Sequence, residues 1–262
     1  MTVRLRPFAF AALVLFTGTA AQAGAARPVV VELYTSQGCS SCPPADSLLG
    51  KLAQRADVIA MSLPITYWDM LGWKDTLASD ANTRRQKAYA MALGHGGVYT
   101  PQIIVDGVQD VVGSRVAGVE AAIEARAQLI DASMVVGNAT PAGQTDPVVP
   151  VALNEDGQEM HIDIGALAGG HNATVWMFHL RSAVNVAIKA GENEGRTITY
   201  HNVVGDLRAV GVWKGSSLNL TLPRAAMSGL PHDGVAIVVQ QGGSGHIIGA
   251  AYLARPDFYP TY

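Results

Sequence analysis

Val29-Val-Val-Glu-Leu-Tyr-Thr-Ser-Gln-Gly-Cys-Ser-Ser-Cys-Pro-Pro-Ala-Asp46 runs from an apolar, β-branched segment straight into a C-x-x-C pair and two prolines. The run Val29 to Tyr34 has the composition of a strand buried on both faces of a sheet. Leu48, Leu49, Leu52 and Ala53 then recur at helical spacing, which predicts a helix from Pro43 to about Gln54. Proline is tolerated in the first turn of a helix, where its missing N–H would have had no partner, and is costly deeper in. Pro43 and Pro44 therefore place the helix onset at the cysteine pair.

Cys39 and Cys42 are the only two cysteines of the 262-residue chain, and the spacing admits three chemistries. As a structural disulfide the pair would close a very short loop, worth roughly 2 kcal/mol by chain entropy, so a staple would do more elsewhere. As a metal site it lacks a second C-x-x-C; two thiolates could still carry copper(I). As a redox pair it gains from its position, because the N–H groups and positive dipole end of a helix favour a thiolate. In that reading Cys39 attacks and Cys42, one turn further in, breaks the mixed disulfide. No separate cofactor is needed beyond the Cys39–Cys42 couple, and no metal ligands are assigned. The partner is a protein or small-molecule thiol or disulfide, with the redox partner unknown.

Residues 27–133 read as β-α-β-α-β-β-α: a second strand at Val58 to Leu63, a helix at Asp80 to Leu93 with Arg84, Arg85 and Lys87 expected on a solvated face, and a hairpin turning at Asp106-Gly107 between Gln102 and Val112. A closing helix spans Gly118 to about Ile130. This order implies a small central sheet covered on both faces. Residues 134–150 shift to Asn, Thr, Pro, Gly and Asp and read as a linker. From 151 to 262, short alternating segments recur between Gly, Asn and Asp turns, among them Glu159–Ile164, Thr174–Leu180, Val184–Lys189, Arg196–Val204, Arg208–Trp213 and Val235–Gln240. They predict an all-β, sandwich-like C-terminal domain.

Residues 1–23 carry Arg4 and Arg6, an apolar run from Phe8 to Phe16, and small residues at Ala21 and Ala23, the pattern of a secretory signal cleaved near Ala23. The expectation is a protein exported to the periplasm or beyond, without a membrane span. The formal charge of −3 becomes more negative once both arginines leave, and neither half carries a basic block, which argues against nucleic acid as partner.

The strand, the C-x-x-C at a helix start and a proline opening the later hairpin resemble the thioredoxin superfamily. That resemblance implies a cis bond at Thr100-Pro101 opposite the cysteines, with the backbone of Thr100 offered to a bound peptide; an ordinary trans proline starting an edge strand is the alternative. It also implies that Glu32, near the position of a buried carboxylate in such sites, accepts the proton of the resolving cysteine. A strand-end glutamate in water or in a salt bridge is equally compatible. More finely, Val31 to Asp46, Tyr67-Trp-Asp69, Leu71-Gly-Trp-Lys-Asp75, Val98-Tyr-Thr-Pro-Gln102, Gly191-Glu-Asn-Glu-Gly-Arg196 and Asn202-Val-Val204 are similar to an exported bacterial thioredoxin-like family of unknown function, domain-of-unknown-function family 1223. Where His-Val-Asp is expected before Tyr67, this chain has Pro64-Ile-Thr66.

Around the pair, Gly38 is expected to leave the backbone open to a docked chain. The stretch Tyr67 to Asp75 reads as an insertion or elaborated helix relative to the compact thioredoxin pattern, and Trp68 and Trp73 are expected to line a substrate face, burial under that insertion being the alternative. His95 lies on a glycine-rich loop and reads more simply as solvated. Glu192, Asn193 and Arg196 could form a binding loop or brace the first half; a hairpin loop whose side chains satisfy their own backbone is the alternative. A non-catalytic binding module with a closed disulfide stands as the alternative to exchange.

Overall fold

In the computed structural model the described residues are 27–135, 146–156, 158–169, 171–223 and 233–254. The proposed signal segment and most of the linker lie outside them. β1 (Val29–Thr35) leads into α1 (Pro43–Leu52), then β2 (Val58–Pro64), a 3-10 turn at Asp69–Leu71, α2 (Asp80–Ala92), β3 (Gln102–Val105), β4 (Gln109–Val112) and α3 (Val116–Val135). β1 is buried along its whole length. Its alternation divides the interior: Val29, Val31 and Leu33 pack with Leu48, Leu49, Leu52, Val119 and Ile123 of α1 and α3, while Val30 and Tyr34 pack with Tyr89 of α2, Phe178 and Val238. A strand between two layers has no polar face, which is why its sequence reads as a continuous apolar run.

The second half continues with β5 (Val151–Glu155), β6 (Glu159–Ile164), β7 (Ala173–Ala187), β8 (Thr197–Trp213), β9 (Leu218–Pro223), β10 (Gly234–Gln241) and β11 (Ile247–Ala254). The chain is thus a mixed α/β structure with a large mixed sheet and a small one. The large sheet has eight strands in the order β11-β10-β7-β8-β2-β1-β3-β4, and β5-β6-β9 form the small one. Four C-terminal strands therefore extend the sheet begun by the N-terminal half. The junction is the parallel step from β2 to β8, bridged at Ser62 and Val203. There Asn202, in left-handed backbone (φ 45), donates its Nδ2 to the Ala60 carbonyl at 2.9 Å, supplying a hydrogen bond from a side chain where the ladder is short. The small sheet sets Met160, Ile162 and Ile164 against Val175, Met177, Val235 and Ile237 of the large one.

Two expected pairs of strands prove to be single strands. Thr174–Leu180 and the first four residues of Val184–Lys189 belong to β7, and Arg196–Val204, from Thr197 onward, and Arg208–Trp213 to β8. The polar residues between them, which resemble turns in sequence, are exposed steps of one antiparallel ladder whose register shifts at Val175/Trp176 and His179/Leu180. Such shifts bend a long ribbon without ending it. The ribbon's far tip, residues 188–196, reaches the cysteine pair.

Candidate functional site

Cys39 and Cys42 are joined in a disulfide at the start of α1, with Pro43 and Pro44 in its first turn. Both cysteines are buried, 1% and 0% exposed, while Ser40 and Ser41 between them are exposed. The Thr100–Pro101 bond is cis, and Thr100 Oγ1 lies 3.2 Å from Cys39 Sγ. Trp68 Nε1, a donor only, gives its proton to Thr100 Oγ1 at 2.9 Å. The hydroxyl accepts there and keeps its own proton for the sulfur. Ser41 Oγ also contacts Cys39 Sγ, at 3.4 Å.

Other motif residues hold the turn before the cysteines. Asp75 accepts from the N–H of Gln37 at 2.8 Å and from those of Leu77 and Ala78. Trp73 Nε1 donates to Gln37 Oε1 at 2.8 Å. Asp69 accepts from the N–H of Asp75. The segment Tyr67 to Asp75 is therefore a scaffold for the cysteine turn, with Trp68 and Trp73 half-buried and hydrogen-bonded. From the tip of the β7–β8 ribbon, Asn193 Nδ2 donates to the carbonyls of Gln37 (3.0 Å) and Cys39 (2.8 Å). Exposed Glu192 accepts from the Ser40 N–H at 3.0 Å, which holds its carboxyl below the usual carboxylate range. Arg196 takes part through its main chain, closing the loop with Asn193 and Ile188.

Three expectations are corrected. Glu32 is not beside Cys42. It shares the β1 face of Val30 and Tyr34, opposite α1, and is locked in a buried pair with Arg85 (2.6 and 2.8 Å) that also takes hydrogen bonds from Tyr34 and Tyr89. Arg85, expected in solvent, is buried at 5.0–5.4 Å from the ring centroids of Tyr89, Trp176 and Phe178. Gly38 is buried beneath Trp68, whose Cβ would lie 3.4 Å from a Cβ at that position; it is not an open stretch of backbone. His95 meets Asp110 at 3.0 Å on β4, in the exposed setting expected of a loop histidine.

The sequence reading missed Asp46. It lies one turn after Cys42 in α1 and is 2% exposed. Thr35 Oγ1 donates to one carboxyl oxygen at 2.8 Å, and the other has no hydrogen-bond partner. Burial, opposed by the Thr35 bond and reinforced by the charge of Asp75, pushes its pKa up to about 7. Tyr200 of β8 has a buried hydroxyl likewise without a partner, and burial with the charges of Asp46 and Asp75 raises its pKa. The signal available in sequence was an aspartate four residues after the second cysteine of a pair at a helix start, a spacing that shares a helix face. Among the described residues the one close group of three metal-capable side chains is Asp156, Glu159 and His161, at the β5–β6 turn.

No helix among the described residues is long and apolar enough to cross a membrane. A search of curated proteins finds no match. A crystal structure of a protein from Agrobacterium tumefaciens is similar at 36% identity over 89% of this chain and 97% of its own, with a TM-score of 0.71. Residues 30–240 match the family described as protein of unknown function DUF1223. Most of the chain, from the buried first strand through the cysteine turn to the loop that caps it, falls within that match, and the protein belongs to the DUF1223 family.

Proposed function

We propose that this is an exported thiol-disulfide exchange protein built on a thioredoxin-like arrangement of its first half. The observation that carries the reading is the placement of one sulfur: Cys39 sits before the first turn of α1 and receives a hydrogen bond from the residue that precedes a cis proline. A helix start and a hydroxyl donor both favour a thiolate over a thiol. In the reducing direction a partner thiolate attacks Cys39 Sγ, the S–S bond breaks, and Cys42 leaves as a thiolate that takes a proton. In the return step Cys42 loses that proton and attacks the mixed disulfide, which releases the partner thiolate.

Asp46 fills the acid-base role that its pairing with Arg85 denies to Glu32. A buried carboxyl with a pKa of about 7 can both give and accept a proton near neutrality, and the turn it shares with Cys42 places it on the side of the resolving sulfur. Trapping tests the function. A Cys42→Ser variant cannot resolve, so a disulfide-linked partner should accumulate on Cys39 in exported extracts and disappear in the Cys39→Ser, Cys42→Ser double variant. Equal yields from the two variants contradict exchange through Cys39.

A second reading rests on burial. With both cysteines at 0–1% exposure, a permanently closed disulfide in a non-catalytic binding module is the competing account, and it predicts no trapped partner.

A further inference from the structure

The exchange reading places a reactive disulfide beneath a loop supplied by the opposite half of the chain. Residues 191–196 lie at the tip of the β7–β8 ribbon. Their hold on the cysteine turn consists of the two bonds from Asn193 to the Gln37 and Cys39 carbonyls and the one from Ser40 N–H to Glu192. All three reach main-chain groups of the turn, so they depend on its path and not on its side chains. Glycines at positive φ flank the grip, Gly191 at 81° and Gly195 at 80°. Gly191 rests against Trp73, whose Cβ would be 3.1 Å from a Cβ there, while Gly195 faces open space. Asn193 is buried and Glu192, Glu194, Gly195 and Arg196 are exposed. A loop held by few polar bonds, with glycine at each end and little apolar surface to expose, opens at small cost.

We propose that this loop is a gate over the Cys39–Cys42 disulfide, closed in this structure and released before the disulfide can react. The proposal rests on the exchange reading only in supposing that the disulfide is opened in use. While the gate is shut, Asn193 holds the main chain of the cysteine turn through the Gln37 and Cys39 carbonyls. The carboxylate of Glu192 also occupies an N–H beside the helix start, where its charge opposes a second negative charge on Cys39. Release removes that hold and the opposing charge together. A polypeptide partner with an extended segment could replace the loop on the Gln37, Cys39 and Ser40 main-chain groups as it delivers its thiol.

The test uses dithiothreitol, so it stands whether or not a cellular partner exists. One thiolate of dithiothreitol attacks the protein disulfide; its second thiol then displaces the protein from the mixed disulfide. Dithiothreitol ends as a cyclic disulfide and both cysteines are reduced, two electrons having moved. Reduction rates are measured for the wild-type protein, Asn193→Ala and Glu192→Ala, and reoxidation rates with oxidised dithiothreitol for the same three. Removing bonds that hold the closed form should raise both rates roughly tenfold in Asn193→Ala, and severalfold in Glu192→Ala. The equilibrium constant with dithiothreitol should move less than about threefold. Unchanged rates overturn the gate. So does faster reduction without faster reoxidation, because the loop then only stabilises the oxidised form. Glu192 is exposed, so its variant decides the question if Asn193→Ala does not fold.

Discussion

Asp46 and Glu32 show how residue-level chemistry depends on which face of an element a side chain occupies. Both are acids close in sequence to the cysteines. Glu32 points away from α1 into the Arg85, Tyr34 and Tyr89 cluster, whereas Asp46 lies in α1 one turn past Cys42. The folded state holds the Asp46 proton more tightly than an unfolded chain, in which an aspartate titrates near 3.8. Its contribution to stability is therefore most favourable below pH 3.8 and is lost as pH rises toward 7. An Asp46→Asn variant should match the wild-type stability at pH 4 and exceed it at pH 8, with a ceiling of roughly 4 kcal/mol set by the size of the shift. Denaturant unfolding at the two pH values measures this; a difference that does not change with pH contradicts a raised Asp46 pKa. The strand period alone could have placed Glu32 with Val30 and Tyr34, away from the Val31 and Leu33 face. It could not reveal Arg85, because a helix whose buried residues include Asn82, Thr83, Arg85 and Gln86 looks solvated until its partners are known.

At the scale of elements, the strand, cysteine turn, proline-led helix and Asp106-Gly107 hairpin were all legible, because short-range rules decide each of them. The Asp106-Gly107 turn also does more than reverse the chain. Asp106, itself at positive φ (48°), accepts from Arg27, Arg126 and the N–H of Val30. Desolvation is outweighed by the two arginines, leaving its carboxyl below the usual range. Gly107 lies at φ 74 against the β10–β11 loop, so that a Cβ would come within 2.2 Å of the Gly245 carbonyl oxygen. Gly107→Ala should therefore destabilise the protein by about 2 kcal/mol or more, combining backbone strain with displacement of a neighbouring main chain. Chemical denaturation gives the value, and a loss below about 0.5 kcal/mol would mean that the two turns are not packed together. The long strands β7 and β8 were not legible as such. Their exposed middles, around Arg181-Ser182 and Gly205-Asp206, carry the residues of turns, and only pairing across the ribbon shows that the strands continue.

At the scale of the whole molecule, the two halves meet in one sheet and at one site. The N-terminal half supplies the disulfide, the cis proline and the scaffold of Trp68, Trp73 and Asp75; the C-terminal half supplies Asn193, Glu192 and Tyr200. The motif Gly191 to Arg196 could be noticed in sequence, but its target could not, because nothing local links a ribbon tip to a turn so far back in the chain. Whether this joint construction serves chemistry or merely encloses a staple is decided by the reduction potential of the Cys39–Cys42 couple, measured at equilibrium against glutathione with the full-length protein. The exchange account predicts a value in the span of working dithiol proteins, about −270 to −120 mV. A value below about −300 mV, where structural disulfides resist the glutathione pool, would contradict it.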